Sequence, residues 1–327
     1  MEIKLPVTHL DEDYKSTGII LVYPDKLSYS TKRILKLKQF YKEYISLIPD
    51  DIEIVWIIRN KASRDEIKEI MGKKKYSFIH IYFVEDIWCG DWIPFIAVDK
   101  NENYLATQFI YPVSNSDDRA GEFIAKRFYE DPLLKIPLKL DAGCIEFNKG
   151  EFLLISKKIF EKNPDKTEEE ITSILLKNYN VKQIYYFDYD SVLGHSDLLF
   201  RGIVKDKWVY SSFNGKTDPN VLNLIKQIQE DWPNCKWFEV PNEKLGIPED
   251  DGSGDYTGED DYTGNILDFM VMGHYVIFPI FSDSSKEAMK IIEKLMPIGV
   301  VIIPFESENL KSLYQLGGGL YCITTNF

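Results

Sequence analysis

The amino-acid sequence predicts an α/β fold assembled from a repeated strand–strand–helix–strand module. Three observations predict it. Short apolar runs of strand length alternate with amphipathic helical stretches along the chain. Three of the helices carry their own start signals. Paired strands, then a helix, then a strand recur roughly every 50–65 residues, a period that marks a repeated structural unit. The recurrence is one of pattern, because no sequence identity between the modules is visible.

The elements follow in order. Residues 18–23 (GIILVY) read as a buried strand closed by Pro24 and Asp25, 31–48 as a helix, and 52–58 as the next strand. A short helix at 63–71 leads to a strand at 78–84. Residues 93–111 are strand-rich, with a turn at 100–103. Residues 121–129 read as a helix. Residues 138–147 and 151–155 read as a hairpin about Asn148, Lys149 and Gly150. Thr167 with Glu170 three residues on forms a capping box, in which hydroxyl and carboxylate each satisfy an orphan backbone N–H. Ile171, Ile174, Leu175 and Asn178 then share one helical face. Asp218 before Pro219 opens a second capped helix, with Val221, Leu222, Ile225 and Ile228 as its stripe. Ser284 or Ser285 opens a third, with Ala288, Ile291, Ile292 and Leu295 at helical spacing. Strand pairs lie at 198–204 with 207–212 and at 266–272 with 275–281. The strands following the helices are 183–187, 236–240 and 300–304.

Composition narrows the function. With 52 Asp+Glu against 39 Lys+Arg among 327 residues, the net charge is −13. A broad nucleic-acid footprint needs clustered positive charge and is argued against; Lys73, Lys74 and Lys75 read as a solvated helix end. A hydrophobic fraction of 44% excludes general disorder, and 28% charged residues argues against a membrane protein. The start of the chain has no signal-peptide core, and no run approaches the roughly 20 apolar residues of a membrane span. A soluble cytoplasmic protein is expected. Cys89, Cys144, Cys235 and Cys322 are too dispersed for a zinc-ligand spacing or a disulfide scaffold, and His9, His80, His195 and His274 form no metal motif. Free thiols are expected, and neither a metal nor a cofactor.

One segment departs from the pattern. Residues 248–264 (PEDDGSGDYTGEDDYTG) are acidic and glycine-rich. They read as a solvated mobile loop, a lid or a weak Ca²⁺ site, although the spacing of an EF-hand loop is not kept.

Four clusters offer chemistry. In Gly194-His195-Ser196-Asp197 the histidine and aspartate project the same way if the chain is extended, which suits an acid/base and a carboxylate in one pocket; a solvated turn is the other reading. Gly317, Gly318 and Gly319 precede Leu320, Tyr321 and Cys322 near the end of the chain. They allow backbone shapes denied to other residues, either for a turn beside a structural cysteine or for a nucleophile. In Trp88-Cys89-Gly90-Asp91-Trp92-Ile93-Pro94 an aspartate between tryptophans reads as a buried carboxylate awaiting a cation or as a turn cap. Leu140-Asp141-Ala142-Gly143-Cys144 places a carboxylate beside a small-residue kink.

Together the four clusters, WCGDWIP, DAGC, GHSD and GGGLYCIT, resemble the agmatine deiminase and Porphyromonas-type peptidylarginine deiminase family. That family carries Trp-x-Arg-Asp-x-x-Pro, Glu-Gly-Gly, Gly-His-x-Asp and a terminal Gly-Gly-Gly-x-x-Cys-Ile-Thr in this order. Asn163 and Pro164 are similar to the Asn-Pro that follows its Glu-Gly-Gly strand. The resemblance covers nearly the whole chain and implies a single domain over 1–327 with the five-bladed α/β propeller called the pentein fold.

The resemblance also implies the chemistry. Cys322 would be the thiolate that attacks the guanidinium carbon, and His195 would protonate the departing ammonia and then activate water. Asp91 and Asp197 would hold the guanidinium, whose forked donors suit paired carboxylates. Trp88 and Asp141 would assist in binding, and Gly317, Gly318 and Gly319 would shape the backbone at the thiolate. The implied substrate is a small guanidino compound, agmatine (on the route to putrescine) or another arginine derivative, without nucleic acid or membrane partners; a homo-oligomer would also fit. Two departures stand out: the family's arginine is Gly90 here, and its Glu-Gly-Gly is Asp141-Ala142-Gly143. A peptidylarginine deiminase or an amidinotransferase shares the nucleophile. A non-catalytic guanidino-binding protein is the reading from a different class.

Overall fold

The computed structural model describes residues 5–9, 16–24, 29–128, 133–148, 150–188, 194–204, 206–213, 215–242, 265–314 and 316–327. The acidic segment 248–264, the loop 189–193, Asp25, Lys149 and Tyr129 lie outside the described residues. The fold is mixed α/β with five small sheets among the described residues. The chain resolves into two compact units. One comprises Met1–Asp11, Asp91–Ser211 and Lys216–Glu239; the other comprises Glu12–Gly90, Ser212–Gly215 and Val240–Phe327.

In the first unit, Thr8–His9, Phe95–Val98, Tyr104–Ile110 and Leu133–Lys139 form one sheet in that order. Its first two pairings are antiparallel and its last is parallel, with helix Asn115–Phe128 as the crossover. The next sheet repeats the scheme: Ile145–Asn148 runs antiparallel to Phe152–Ser156, which runs parallel to Gln183–Phe187 after helix Glu168–Asn178. A parallel neighbour needs a crossover long enough for a helix, so each module has this shape for a geometric reason. Phe200–Val204, Lys207–Phe213 and Lys236–Asn242, with helix Pro219–Asp231, make the third sheet, whose last residues pass into the second unit.

The second unit holds the remaining sheets. Met270–Met272 pairs antiparallel with Tyr275–Pro279, which pairs parallel with Val301–Phe305 beyond helix Asp283–Leu295. In the last sheet Thr325–Asn326, from the end of the chain, runs antiparallel to Gly18–Val22. Glu53–Ile58 and Tyr76–His80 follow in parallel, with helices Thr31–Leu47 and Ser63–Met71 between them. Gly18–Val22 is buried at every position, as expected of a parallel strand covered on both faces.

The helix caps at Thr167 and Asp218 form as expected. The third start lies earlier than Ser284: Ser282 accepts from the amides of Ser284 and Ser285, and the Ser285 hydroxyl returns to the Ser282 amide. Helix Asn115–Phe128 begins ahead of residue 121, because Ser114 accepts from the Asp117 amide and starts it there. The strand expected at 78–84 is Tyr76–His80. The run 138–147 is not one strand: it breaks into the end of Leu133–Lys139, a 3₁₀ turn at Ala142–Cys144 and the strand Ile145–Asn148. Short helices at Lys158–Lys162 and Glu308–Tyr314 went unpredicted. All four cysteines are buried, and none of them is joined in a disulfide. No described helix is long and apolar enough to cross a membrane.

Aromatic packing fills the first unit's core. Phe152 is fully buried, with the rings of Tyr185, Trp208 and Trp232 at centroid distances of 5.4, 5.6 and 6.0 Å. Phe152→Ala leaves a cavity that these large, locked rings cannot close, so unfolding in urea should show a loss of about 3–5 kcal/mol.

Candidate active site

The predicted site residues fall into two groups, one in each unit. Asp91, Asp141, His195 and Asp197 belong to the first; Trp88, Gly317, Gly318, Gly319 and Cys322 belong to the second.

In the first unit, Asp141 precedes the 3₁₀ turn Ala142–Cys144 and His195 precedes the turn Ser196–Leu198. The two turns are joined where the Ser196 hydroxyl donates to the Gly143 carbonyl at 2.9 Å. Gly143 has to be glycine, since a Cβ there would lie 2.7 Å from His195 Cε1. Gly194 takes φ +65°, a conformation that favours glycine. His195 and Asp197 are therefore not neighbours on an extended segment, as the sequence suggested. Asp197 sits inside a 3₁₀ turn, and both side chains are buried.

Charge dominates this group. His195 Nε2 lies 3.9 Å from Asp141 Oδ2, an ionic contact longer than a hydrogen bond. Burial works against the charged imidazole and is the largest influence on it. The carboxylates of Asp91, Asp141 and Asp197 outweigh burial and raise the ring's pKa to about 9. For Asp197, burial pushes the carboxyl up, while His195 and Arg201 pull it down without reversing the shift. For Asp141, burial is overcome by His195 and by the Lys162 ammonium, which bonds directly to the carboxylate, so its pKa falls. Asp141, Cys144 and His195 offer ligand-type atoms within 4.8 Å of one another. They suit a metal ion poorly. Lys162 already neutralises the carboxylate, the imidazole holds a proton, and burial pushes the Cys144 thiol far up, whereas metal ligands must be deprotonated.

In the second unit each glycine before Cys322 has its own reason. Gly317 takes φ +97°. A Cβ on Gly318 would meet the Trp88 ring at 2.6 Å, and one on Gly319 would run into the Asp268 carboxylate and the Tyr314 ring. Trp88, expected at the substrate, thus packs its six-membered ring on Gly318. Cys322 is 6% exposed. Its carbonyl accepts from the Gly90 amide at 2.8 Å, and a Cβ on Gly90 would stand 2.8 Å from that same oxygen. The missing arginine therefore has a structural counterpart, because Gly90 clasps the cysteine's backbone in a space that admits no side chain. Cys89 beside it donates its thiol to the Ile323 carbonyl at 3.0 Å.

Sequence reasoning missed two residues. Asp268, 2% exposed, accepts from the Tyr321 amide at 2.7 Å, and its second oxygen lies 3.5 Å from Cys322 Sγ. Its signal was present: it is the single acid in the apolar run Ile266 to Met272. Lys162 is the other, and nothing in its sequence surroundings sets it apart from the neighbouring lysines.

The raised imidazole pKa links to stability. The charged ring's contribution is fully present below its unfolded value of about 6.5 and is lost as pH rises through about 9. Urea unfolding across pH 6–10 should show His195 losing on the order of 3 kcal/mol of stabilisation in that window, and His195→Asn should remove that part of the slope. A Gly319→Ala substitution, which crowds the Asp268 carboxylate, should lower stability by about 1–3 kcal/mol in the same assay.

Comparison with known proteins places the fold. The solved agmatine deiminase of C. jejuni superposes with a TM-score of 0.80 at 19% identity, covering 98% of this chain and 95% of that one. Its substrate-bound form gives 0.81 over 98% and 96% at 19% identity. The agmatine deiminase of Enterococcus faecalis gives 0.76 over 99% and 95% at 12% identity. At these identities the likeness establishes a shared fold. The model of the Porphyromonas-type peptidyl-arginine deiminase family matches residues 8–327. The chain belongs to that family, whose enzymes hydrolyse guanidino groups.

Proposed function

We propose that the protein is a cysteine-dependent deiminase that converts a small guanidino substrate, agmatine or a related arginine derivative, to a ureido product and ammonia. The observation that carries this reading is the buried His195, held charged among Asp91, Asp141 and Asp197. An imidazolium in a carboxylate-rich environment is a general acid kept loaded at neutral pH, and the surplus of carboxylates suits a cationic substrate. Like the solved enzyme with substrate bound, a relative in fold, this chain would take a small guanidine.

In this mechanism the Cys322 thiolate forms a bond to the guanidinium carbon. The carbon–nitrogen bond then breaks, and His195 gives its proton to the departing nitrogen, releasing ammonia and leaving a thiouronium on the cysteine. Water adds to that carbon as His195 takes one of its protons; the carbon–sulfur bond then breaks to regenerate the thiolate, and the second water proton leaves to solvent as the ureido carbonyl forms. Asp91 and Asp197 accept the guanidinium N–H groups. Gly317, Gly318 and Gly319 let the backbone before Cys322 pack against Trp88 and Asp268. The reading takes the five sheets as the five blades of one pentein domain acting in the cytoplasm. The clasp from Gly90 to Cys322 supports this reading over a non-catalytic binder, which the departures at Gly90 and Asp141 would favour, since a glycine in the arginine's place makes a contact that fixes the cysteine's backbone.

Agmatine, arginine, arginyl peptides and methylated arginines should be assayed for ureido product and ammonia. Cys322→Ala should cut turnover by more than about 10³-fold, and His195→Asn by about 10²–10⁴-fold. Turnover that survives Cys322→Ala would remove the nucleophile. In the active protein the rate should fall above about pH 9, as the imidazolium loses its proton.

A further inference from the structure

We propose that Lys162 is a positioning residue for this reaction: through its ion pair with Asp141 it fixes the carboxylate that faces His195. The inference rests on the catalytic role assigned to His195 above.

The placement is built from several contacts. Lys162 is the last residue of helix Lys158–Lys162, and Asn163 caps that helix. The Asn163 side chain is buried and fully engaged. Its Oδ1 accepts from the Lys139 amide at 2.8 Å, and its Nδ2 donates to the carbonyls of Lys139 at 2.9 Å and Ile159 at 2.7 Å. This binds the end of the helix to the end of strand Leu133–Lys139, two residues before Asp141. The Asn-Pro pair noted in the sequence thus sets the place from which Lys162 reaches its partner.

The Asp141 carbonyl accepts from the Cys144 amide at 3.0 Å, and its side chain faces the histidine. It stands at the N-cap position of Ala142–Cys144, yet its side chain makes no capping bond. One carboxylate oxygen takes the Lys162 ammonium and lies 3.9 Å from His195 Nε2. The other oxygen is buried without a hydrogen-bond partner, as is His195 Nε2 itself. The side chains of Asp141 and His195 are each 4% exposed. Among the described residues, the ammonium is the one group that hydrogen-bonds this carboxylate. Without it, the shorter acid that stands where the family carries glutamate is left with only the 3.9 Å ionic contact to the ring. The other charged and titratable groups of this unit that bear on the ring and its carboxylates are Asp91, Asp197, Arg201 beside Asp197, and Cys144 beside Asp141.

The test compares Lys162→Met, Lys162→Arg and the double variant Asp141→Asn/Lys162→Met in the full chain. kcat and KM are measured on whichever guanidine is turned over. The His195 ring is titrated by NMR with labelled histidine, its signal identified by loss in His195→Asn. Lys162→Met should lower kcat about tenfold or more, part of what a positioned general acid supplies, with KM changed less than about twofold. It should also move the His195 titration upward, because the carboxylate is no longer neutralised. Lys162→Arg should restore most of kcat. A buried carboxylate left unpaired destabilises the fold, so the double variant serves as the control: it should recover the melting temperature of the parent and keep the low kcat. Wild-type kcat and an unmoved His195 titration in Lys162→Met would overturn the inference alone. Turnover that survives His195→Asn would overturn the catalytic reading and this inference with it.

Discussion

Buried charge is the constraint on which the rest of the first unit depends. An isolated ion taken out of water is costly, and proteins tolerate it only where it is paired. His195 and Asp141 are both almost wholly enclosed, and each is charged because of the other and of its neighbours. The two 3₁₀ turns, the glycine under the imidazole and the asparagine at the end of helix Lys158–Lys162 all follow from the need to bring these groups together. A mutation that removes one partner leaves a bare charge in a dry place, and so it acts on stability.

The second unit answers a different requirement, the fixing of one backbone segment near the end of the chain. Gly90 holds the Cys322 carbonyl, Asp268 holds the Tyr321 amide, Gly317 takes a positive φ, and Gly318 and Gly319 clear space for a tryptophan ring, a carboxylate and a tyrosine. The terminal strand Thr325–Asn326 then completes the sheet that begins with Gly18–Val22. Hydrogen bonds at the Tyr321 amide and at the Cys322 carbonyl hold the backbone on both sides of the cysteine, which leaves this segment little conformational freedom.

Much of this was legible in the sequence, for reasons that differ by residue. The capping box at Thr167 and the proline after Asp218 are local, and local signals survive into the structure unchanged. Cys322 and His195 stood out because their types are scarce and their glycine surroundings unusual. The split of 138–147 by the turn at Ala142–Cys144 was not legible, because Leu, Ala and Cys fit a strand as readily as a turn. The Lys162–Asp141 pair spans 21 residues and the Cys322–Asp268 contact spans 54, and no periodicity reports a contact that only tertiary packing creates. The backbone contact of Gly90 was not legible for the same reason: its partner is a carbonyl more than two hundred residues away.

The central claim is that Cys322 carries the substrate carbon during turnover. The most direct measurement is rapid acid quenching of the enzyme during turnover of its guanidine substrate, followed by mass spectrometry of the proteolysed protein. The account predicts a thiouronium adduct on the peptide bearing Cys322, appearing before steady state and absent in His195-competent Cys322→Ala protein. Full turnover with Cys322 unmodified at every quench time, or an adduct on Cys89, Cys144 or Cys235 instead, would contradict it.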